Sequence, residues 1–592
     1  MQDGSQDIPR RHADPVMSAL QAAAVVPTPD VPFVHIESSG TILVYGRDEI
    51  AIEAGELLKE HLDVTVLIMP PAMIAGYGTA GFPVVKGKIA AATGHFGAFD
   101  LVIDDFAEPE PAIRGASLYG PSRNGAQSHC DIILDLSGGS PLFSAADLRD
   151  GYLRVDPGNR PAMLEAVLKA RDLIGTFEKP RYIAFDASLC AHSRSNIVGC
   201  RRCLDLCPAG AITPAGDHVA IDPNICAGCG QCAAACPTGA ASYAMPPPDA
   251  LLRKLRAMLL AYRAAGGADP VVLFHDQAHG TPMLDALTEF GDGLPAHVLP
   301  FSVNETTQIG LESIAAGFAY GASAIRLLLR DRPRHDIAGL RQTLVLAELI
   351  LQGLGFTGPR IALLEADDPE LVDVALREIP SMPSAPRPAS FQATGGKREV
   401  LRFALRELHR AAHDPVDVIA LPRGAPFGAV EVDADDCTLC LACVSACPTG
   451  ALRDDPERPM LRFAEDACVQ CGLCQTTCPE QVITLKPQID FRAATAPARV
   501  LKQEEPFCCI QCNKPFGVKS TIDRVVAKLE GSHWMYPGSS RRTDLIKMCG
   551  DCRVAVVSEA GFDPYGALDR AVRTTDDYLR ERDLVDKRGP RA

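Results

Sequence analysis

The sequence predicts a multidomain protein in which two cofactor-poor parallel α/β domains alternate with two small cysteine-rich α+β modules. A third cysteine-rich module is predicted near the C-terminus. Three observations lead to this fold class. The 592 residues are enough for about three to five domains. Two long segments alternate strand-like and helix-like stretches. All but one of the 22 cysteines fall into three groups, at 190–236, 437–478 and 508–552.

Composition and charge narrow the class of protein. Hydrophobic residues make up 47% and charged residues 22%, which is typical of folded domains. The net charge of −16 argues against a nucleic-acid-binding protein, which would be basic. The apolar stretch 64–81 is broken by Pro and Gly, so we expect no transmembrane segment. Asp14 and Pro15 closely follow the Arg10-Arg11 pair, unlike in an export signal. We therefore expect a cytoplasmic protein with cysteines as metal ligands.

The N-terminal part is predicted to be a flexible tail over 1–36 and a degenerate Rossmann-like α/β domain over 37–178. Residues 41–45 and 64–68 have strand character, and 48–61 have helix character. In the turn after the first strand, a dinucleotide-binding fingerprint needs glycine where this chain has Asp48 and Ala51. We therefore expect this domain to bind no flavin or nicotinamide nucleotide.

Residues 250–380 contain no cysteine and are predicted to form the second parallel α/β domain. Strand-like segments at 271–274, 297–301 and 324–329 are separated by helix-like stretches. A linker and a helix follow over 381–430. The last segment, 561–592, is predicted to be a charged tail.

The cysteines between 437 and 478 form two copies of the spacing C-x2-C-x2-C-x3-C-P. This spacing is typical of two-cluster bacterial ferredoxins, in which the fourth cysteine of each motif binds the other cluster. The motifs predict a ferredoxin-like dicluster module over 431–490. One predicted ligand set for a [4Fe-4S] cluster is Cys437, Cys440, Cys443 and Cys478, and the other is Cys447, Cys468, Cys471 and Cys474.

A second dicluster module is predicted over 180–247, but one of its motifs is irregular. Nine residues separate Cys190 from Cys200, where the pattern has two. Cys190 is a ligand if this insert loops out; the alternative is a three-cysteine cluster with less iron. The predicted ligand sets are Cys190, Cys200, Cys203 and Cys236 for one [4Fe-4S] cluster, and Cys207, Cys226, Cys229 and Cys232 for the other.

The C-terminal cysteines predict a different kind of site over 500–560. Two C-x2-C pairs separated by 36 residues have the layout of an all-cysteine zinc ribbon, although the spacer is long. The predicted Zn²⁺ ligands are Cys509, Cys512, Cys549 and Cys552. Cys508 can replace Cys509 in this scheme, and an iron site, free thiols or a disulfide remain alternatives.

Both dicluster modules resemble the two-[4Fe-4S] ferredoxin family, and both contain Ala-Cys-Pro-Thr-Gly-Ala, at 235–240 and 446–451. The order of modules resembles iron–sulfur subunits associated with heterodisulfide reductase and formate dehydrogenase. Gly-Phe-Ala-Tyr-Gly-Ala-Ser at 317–323 resembles the delta subunit of methyl-viologen-reducing hydrogenase. That family holds a [2Fe-2S] cluster on cysteines. This chain has no cysteine between Cys236 and Cys437, so no cluster is expected there.

These patterns predict an electron-transfer protein that carries four [4Fe-4S] clusters and relays single electrons between a partner oxidoreductase and an acceptor. The resemblance implies a formate dehydrogenase-like enzyme or a flavoprotein as partner. An electron-transfer subunit is favoured over a catalyst acting alone. One alternative is a flavin-containing iron–sulfur oxidoreductase with a nucleotide site in the N-terminal domain. Another is an iron–sulfur cluster carrier or scaffold.

Overall fold

The computed structural model of the protein describes residues 14–70, 80–110, 119–493, 496–532 and 540–559, with short stretches at 574–576 and 579–580. These residues fold as two compact units. The first comprises residues up to 427 with the short segments 469–471 and 487–492; the second comprises 428–468, 472–486 and the residues from 493 onward. Within the described ranges, no helix has both the length and the apolar character needed to cross a bilayer.

The first unit begins with a helix where the sequence predicts a flexible tail over 1–36. Helix α1 (Pro15–Ala24) starts at Asp14, whose carboxylate accepts a hydrogen bond from the Val16 N–H. Asp followed by Pro is a strong helix-start signal. Ala19 is fully buried in the core formed by the helix Pro248–Ala264 and its neighbours. The tail prediction is therefore wrong for these residues, and 1–13 lie outside the described residues.

The first α/β domain is built on a seven-stranded sheet with the strand order β6-β5-β4-β3-β2-β7-β8. A two-stranded ribbon of β1 and β9 and two helices complete the domain. The elements are β1 (Phe33–Ser38), β2 (Thr41–Gly46), α2 (Asp48–Leu58), β3 (Asp63–Ile68), β4 (Val84–His95), β5 (Ala98–Ala107), β6 (Ala126–Cys130), β7 (Ile132–Leu136), β8 (Tyr152–Arg154), α3 (Arg160–Arg171) and β9 (Gly175–Pro180).

The sheet of this domain is mixed, whereas the sequence predicts a parallel one. Strands β4, β3, β2, β7 and β8 are parallel, whereas β5 lies between β4 and β6 and runs antiparallel to both. Only two residues separate β4 from β5, and such a short connection can join only antiparallel strands.

The first cysteine-rich module follows directly. Its short strands form antiparallel pairs, β10 with β15, β11 with β12 and β13 with β14. The two one-turn helices each precede a Cys-Pro pair. The elements are β10 (Ile183–Phe185), β11 (Ser193–Arg194), β12 (Ile197–Val198), α4 (Arg202–Leu206), β13 (Ile212–Ala215), β14 (His218–Ile221), α5 (Gln231–Ala235) and β15 (Ala241–Tyr243).

The second α/β domain contains a four-stranded parallel sheet with the order β17-β16-β18-β19. Strand β16 is buried along its whole length. After α11, β20 pairs antiparallel with residues 488–490. The elements are α6 (Pro248–Ala264), β16 (Val271–Asp276), α7 (Gly280–Phe290), β17 (Val298–Val303), α8 (Leu311–Ala319), β18 (Ala324–Leu329), α9 (Ala338–Gly353), β19 (Ile361–Glu365), α10 (Pro369–Arg377), α11 (Lys397–Ala411) and β20 (Val418–Ala420).

The second unit contains the second cysteine-rich module and the C-terminal cysteines. Strands β22, β23 and β25 form an antiparallel sheet, and β26 pairs with β27. Most of the predicted tail 561–592 lies outside the described residues. The elements are β21 (Gly428–Val432), α12 (Ala442–Ala446), β22 (Leu452–Asp454), β23 (Met460–Phe463), α13 (Leu473–Thr477), β24 (Ile483–Asp490), β25 (Arg499–Gln503), β26 (Pro506–Cys508), β27 (Pro515–Val518), α14 (Lys519–Ser532), α15 (Ser540–Ile546) and α16 (Gly550–Ser558).

The packing of α1 leads to a stability prediction. Ala19→Glu should detach α1 at a cost on the order of 2 kcal/mol or more, because a carboxylate would be buried without a partner. Met17→Glu is the matched control, since Met17 lies on the same helix and is 51% exposed. Hydrogen exchange of the α1 amides measures the effect. Equal protection of α1 in both variants would show that Ala19 does not anchor the helix.

Candidate metal centres

The three regular C-x2-C-x2-C loops share one backbone conformation. In each loop, the residues immediately before and after the middle cysteine have left-handed φ angles. This conformation bends the chain sharply at the middle cysteine, and the short helix that follows carries the third cysteine. The residues concerned are Gly228 and Gly230 (φ 77° and 79°), Leu439 and Leu441 (50° and 59°), and Gln470 and Gly472 (54° and 83°).

The four cysteines predicted to bind one cluster of the second module line one cavity. The cavity encloses about 370 Å³ of empty space, including its mouth, and apolar side chains such as Leu461 and Ile483 form the rest of its wall. Three of the cysteines come from one loop, and the fourth comes from the Cys-Pro pair of the other motif. The cysteines that line it are Cys437, Cys440, Cys443 and Cys478.

In the other predicted ligand set of this module, Cys468 and Cys474 are buried and Cys447 is half-buried. Cys447, Cys468 and Cys474 contribute to the same apolar core as the first set. Cys471, the fourth member, is half-buried. Helices α12 and α13, which lead into Cys447 and Cys478, pack against each other, as the crossed arrangement of the two motifs requires.

In the first module, the nine-residue insert forms a β-hairpin of β11 and β12. Its turn residues, Ser195 and Asn196, both have positive φ angles, as in a type I′ turn. At the base of the hairpin, the Cys200 N–H donates a 2.9 Å hydrogen bond to the Ala191 carbonyl. The hairpin thus loops out and returns the chain, so that Cys190 and Cys200 are close together.

The remaining members of this predicted set surround the same point. Burial raises the pKa of Cys203 to about 12, and the nearby thiols of Cys200, Cys236 and Cys190 contribute to the increase. The structure therefore brings together all four predicted ligands of this set. His192 in the hairpin is buried, and its Nδ1 lies 3.0 Å from the Cys200 carbonyl oxygen.

In the second predicted set of the first module, Cys232 is buried and the other three cysteines are half-buried. Burial raises the pKa of Cys229 to about 12, and Cys207 and Cys226 are close enough to add to it. Burial likewise raises the pKa of Cys232 well above its usual value, with contributions from the same neighbours. All four predicted ligands are therefore mutual neighbours. A backbone N–H, that of Ala211, also points at the Cys207 sulfur, at 3.3 Å.

Residues of the second α/β domain hold the loop that carries Cys229. The Thr307 hydroxyl donates to the Cys229 carbonyl at 2.5 Å. The Tyr243 hydroxyl donates to the Gly228 carbonyl at 2.5 Å and accepts from the Asn304 amide at 2.6 Å. Sequence patterns give no sign of these contacts, because they join segments 61–78 residues apart.

These geometries fit [4Fe-4S] clusters. Cysteine binds iron as the thiolate, yet burial raises the pKa of Cys203, Cys229 and Cys443 to about 12. Four buried thiols around one point therefore ionise readily only when a cationic centre replaces their protons. Iron atoms of a cluster supply that charge, and backbone N–H groups directed at sulfur stabilise the anionic result.

The C-terminal cysteines form a compact group of four. The sulfurs of Cys509, Cys512, Cys549 and Cys552 all lie within 4.8 Å of one another. Burial opposes ionisation of Cys509, but backbone N–H groups of Cys549, Cys512 and Gln511 outweigh it and lower its pKa to about 6. Cys508 is exposed and lies outside the group. An all-cysteine set of this size could hold a zinc ion.

Comparison with protein-family models gives two matches, and both models are described as a 4Fe-4S dicluster domain. They cover residues 198–240 and 436–483. The chain is therefore an iron–sulfur protein. More particularly, it contains two 4Fe-4S dicluster ferredoxin domains. No curated protein matches this chain. Cys190 lies outside the first matched range, which begins within the hairpin insert.

The packing of the Cys229 loop leads to a prediction about Gly230. A Cβ atom there would lie 2.5 Å from the Gln308 Cβ, whereas one at the equivalent Gly472 would meet nothing within 4 Å. Both glycines have a positive φ, so both alanine variants carry that strain. We expect Gly230→Ala to lose about four iron atoms per chain and Gly472→Ala to keep them, as measured by iron and sulfide analysis. Equal iron content in both variants would contradict the role of this packing.

The four-sulfur group leads to a second prediction. Cys549→Ser should lose about one metal ion per chain, because a hydroxyl is a poor replacement for a thiolate ligand. Cys508→Ser should retain that ion, since its sulfur is outside the group. Elemental mass spectrometry both counts the ion and distinguishes zinc from iron. Loss of the ion from Cys508→Ser alone would instead place Cys508 among the ligands.

Proposed function

We propose that the protein is an electron relay that carries four [4Fe-4S] clusters, two in each dicluster domain, and passes single electrons between a partner oxidoreductase and an acceptor. The observation that carries this proposal is the crossed grouping of the cysteines, seen most directly in the cavity that Cys478 completes with the loop 437–443. Each cluster supplies one-electron redox chemistry when bound. The chain's own contribution is to hold the ligands, exclude water and set the local charge.

Each predicted cluster takes three cysteines from one motif and the fourth from the other motif of its module. This arrangement supports an electron relay over a cluster carrier. A cluster held by both motifs of a module can leave only if both loops open. The buried Cys232 and Cys443 are 7% and 8% exposed, so an incoming thiol would have little access to them. A carrier needs the opposite, which is labile and accessible ligation. We propose on the same grounds that the C-terminal four-cysteine group holds a structural zinc ion.

A buried ion pair lies beside the first module. The Lys397 Nζ donates to the carbonyls of Ala233 and Ala234, at 2.5 and 2.7 Å, and lies 3.4 Å from the Glu312 carboxylate. These carbonyls lie in the chain between Cys232 of one predicted set and Cys236 of the other. Lys397 therefore places a positive charge beside the backbone that links the two sites.

The partner is proposed from the resemblance of the module order to iron–sulfur subunits of heterodisulfide reductase and formate dehydrogenase systems. On that basis it is a formate dehydrogenase-like enzyme or a flavoprotein. The net charge of −16 suits docking to a basic surface on that partner. Such docking weakens as salt screens the opposite charges.

A groove in the N-terminal domain supports a second candidate function, that of a flavin-containing oxidoreductase. The groove has about 1800 Å³ of empty space, including its open side, and runs along the edge strand β8. Its wall includes Lys179, which donates to the Asn224 carbonyl next to the Cys226 loop. At the Rossmann-type turn itself, Gly46 packs tightly, because a Cβ there would lie 3.1 Å from the Ala51 Cβ. Stoichiometric flavin released on denaturation would support this candidate.

The relay proposal is tested by anaerobic coulometric titration followed by electron paramagnetic resonance (EPR). The proposal expects the uptake of about four electrons per chain, one for each cluster. Clusters that stay bound when the protein is mixed with an apo-ferredoxin would agree with it. Uptake of two electrons or fewer would overturn the four-cluster relay, and rapid transfer of clusters to the acceptor would favour the carrier.

The ion pair predicts that removing either of its two charges shifts the reduction potential of the first-module clusters, in opposite directions. Lys397→Met should lower the reduction potential of the first-module clusters, because it removes a positive charge that favours the more negative reduced form. Glu312→Gln should raise that potential for the converse reason. Each shift should be on the order of tens of millivolts in an EPR-monitored titration. Shifts of the same sign in both variants would point to a structural effect and contradict an electrostatic one.

A further inference from the structure

The parallel sheet of the second α/β domain has a topological switch point between β16 and β18. From β16 the chain moves to β17 on one side, and from β17 it crosses back to β18 on the other. In open α/β sheets, the loops at the carboxyl ends of such neighbouring strands diverge and leave a crevice, where ligands bind. The absence of cysteine from this domain does not remove that crevice.

A pocket with about 540 Å³ of empty space, including its opening, lies at this edge of the sheet. The end of β16 contributes Asp276, and the loops that follow β17 and β18 contribute Glu305 and Arg330. Cys229 of the predicted second cluster set lines the other side. The pocket thus lies between the switch point and a cluster-binding loop.

Three charged groups of the pocket lack side-chain partners. In the parts of the chain that the structure describes, Arg330, Arg334 and Glu305 make no side-chain hydrogen bond or ion pair. Asp276 differs, because its carboxylate accepts a 2.6 Å hydrogen bond from the His279 N–H at the start of α7. Two guanidinium groups and one carboxyl group therefore remain available to a ligand.

Glu305 and the two arginines can make different kinds of contact with one ligand. Burial raises the pKa of Glu305 to about 7, the negative charge of Asp276 adds to this, and Arg334 and Arg330 oppose it. Both arginines line the same pocket as Glu305. Near neutral pH the Glu305 carboxyl can donate or accept a hydrogen bond, while guanidinium groups bind carboxylate and phosphate oxygens.

We propose that this pocket binds a small organic anion, whose carboxylate or phosphate group contacts Arg330 and Arg334 and whose second polar group hydrogen-bonds to Glu305. Binding itself does not depend on the electron-transfer proposal. The effect of binding does rest on the electron-transfer proposal. A bound anion adds negative charge beside the Cys229 loop and so lowers the reduction potential of the cluster proposed there. The pocket would then let a metabolite regulate the relay.

The test uses the intact protein, purified without oxygen, and two probes, acetate and inorganic phosphate, at constant ionic strength. Calorimetry should show saturable binding with a dissociation constant on the order of a millimolar. Saturation by one probe only identifies the group that the arginines prefer. No saturable binding of either probe would overturn the proposal.

Variants connect the binding to the pocket. The double variant Arg330→Gln/Arg334→Gln should weaken binding by about tenfold or more. Arg332→Gln is the matched control, because Arg332 is exposed, lies between them in sequence and does not line the pocket. Unchanged binding in the double variant, or an equal loss in the control, would contradict the site. Iron analysis of each variant separates a lost anion site from a lost cluster.

A residue-resolved measurement complements the calorimetry. Phenylglyoxal modifies accessible guanidinium groups, and mass spectrometry locates the modified residues. The proposal expects the better-binding probe to protect Arg330 and Arg334 from modification and to leave Arg332 unprotected. Equal modification of all three arginines with and without the anion would overturn the proposal.

Discussion

The constraint that dominates this structure is that the predicted iron ligands are thiols that are largely buried. Burial makes the cysteine side chains harder to ionise, as Cys203, Cys229 and Cys443 show, while iron binds only the ionised form. Without a metal these thiols stay protonated near neutral pH, so a cluster that binds there must displace their protons. The left-handed residues on either side of each middle cysteine have the same origin, because no ordinary helix or strand directs three thiols to one point.

The second α/β domain has a role that its lack of cysteines conceals. It supplies Thr307 and Asn304, which fix the Cys229 loop directly or through Tyr243, and it presents Gln308 against Gly230. Its helices also supply the pair Glu312 and, from α11, Lys397 next to the first module. A domain without cysteines thus contacts a predicted cluster site and places charged groups beside it. The proposed anion pocket would add a means of regulation to this support.

Much of the site and part of the fold could be predicted from the sequence, for physical reasons. The Cys-x2-Cys spacing fixes local loop geometry, so the two dicluster domains were recognisable, and the short predicted strand 324–329 coincides with β18. The mixed first sheet was missed because strand direction depends on a short turn between long strands. Helix α1 was missed because its stability comes from packing of Ala19 against distant residues. The hairpin that brings Cys190 to Cys200 needs backbone hydrogen bonds that no spacing rule contains.

The most direct test of this account is the content of iron and acid-labile sulfide per chain, in protein purified without oxygen. Four crossed sets of four cysteines predict about 16 iron and 16 sulfide. A content near 12 would contradict the assignment of four complete [4Fe-4S] sites and would direct attention to Cys190 and its hairpin. A content near 8 or lower, or iron without sulfide, would contradict the four-cluster relay itself.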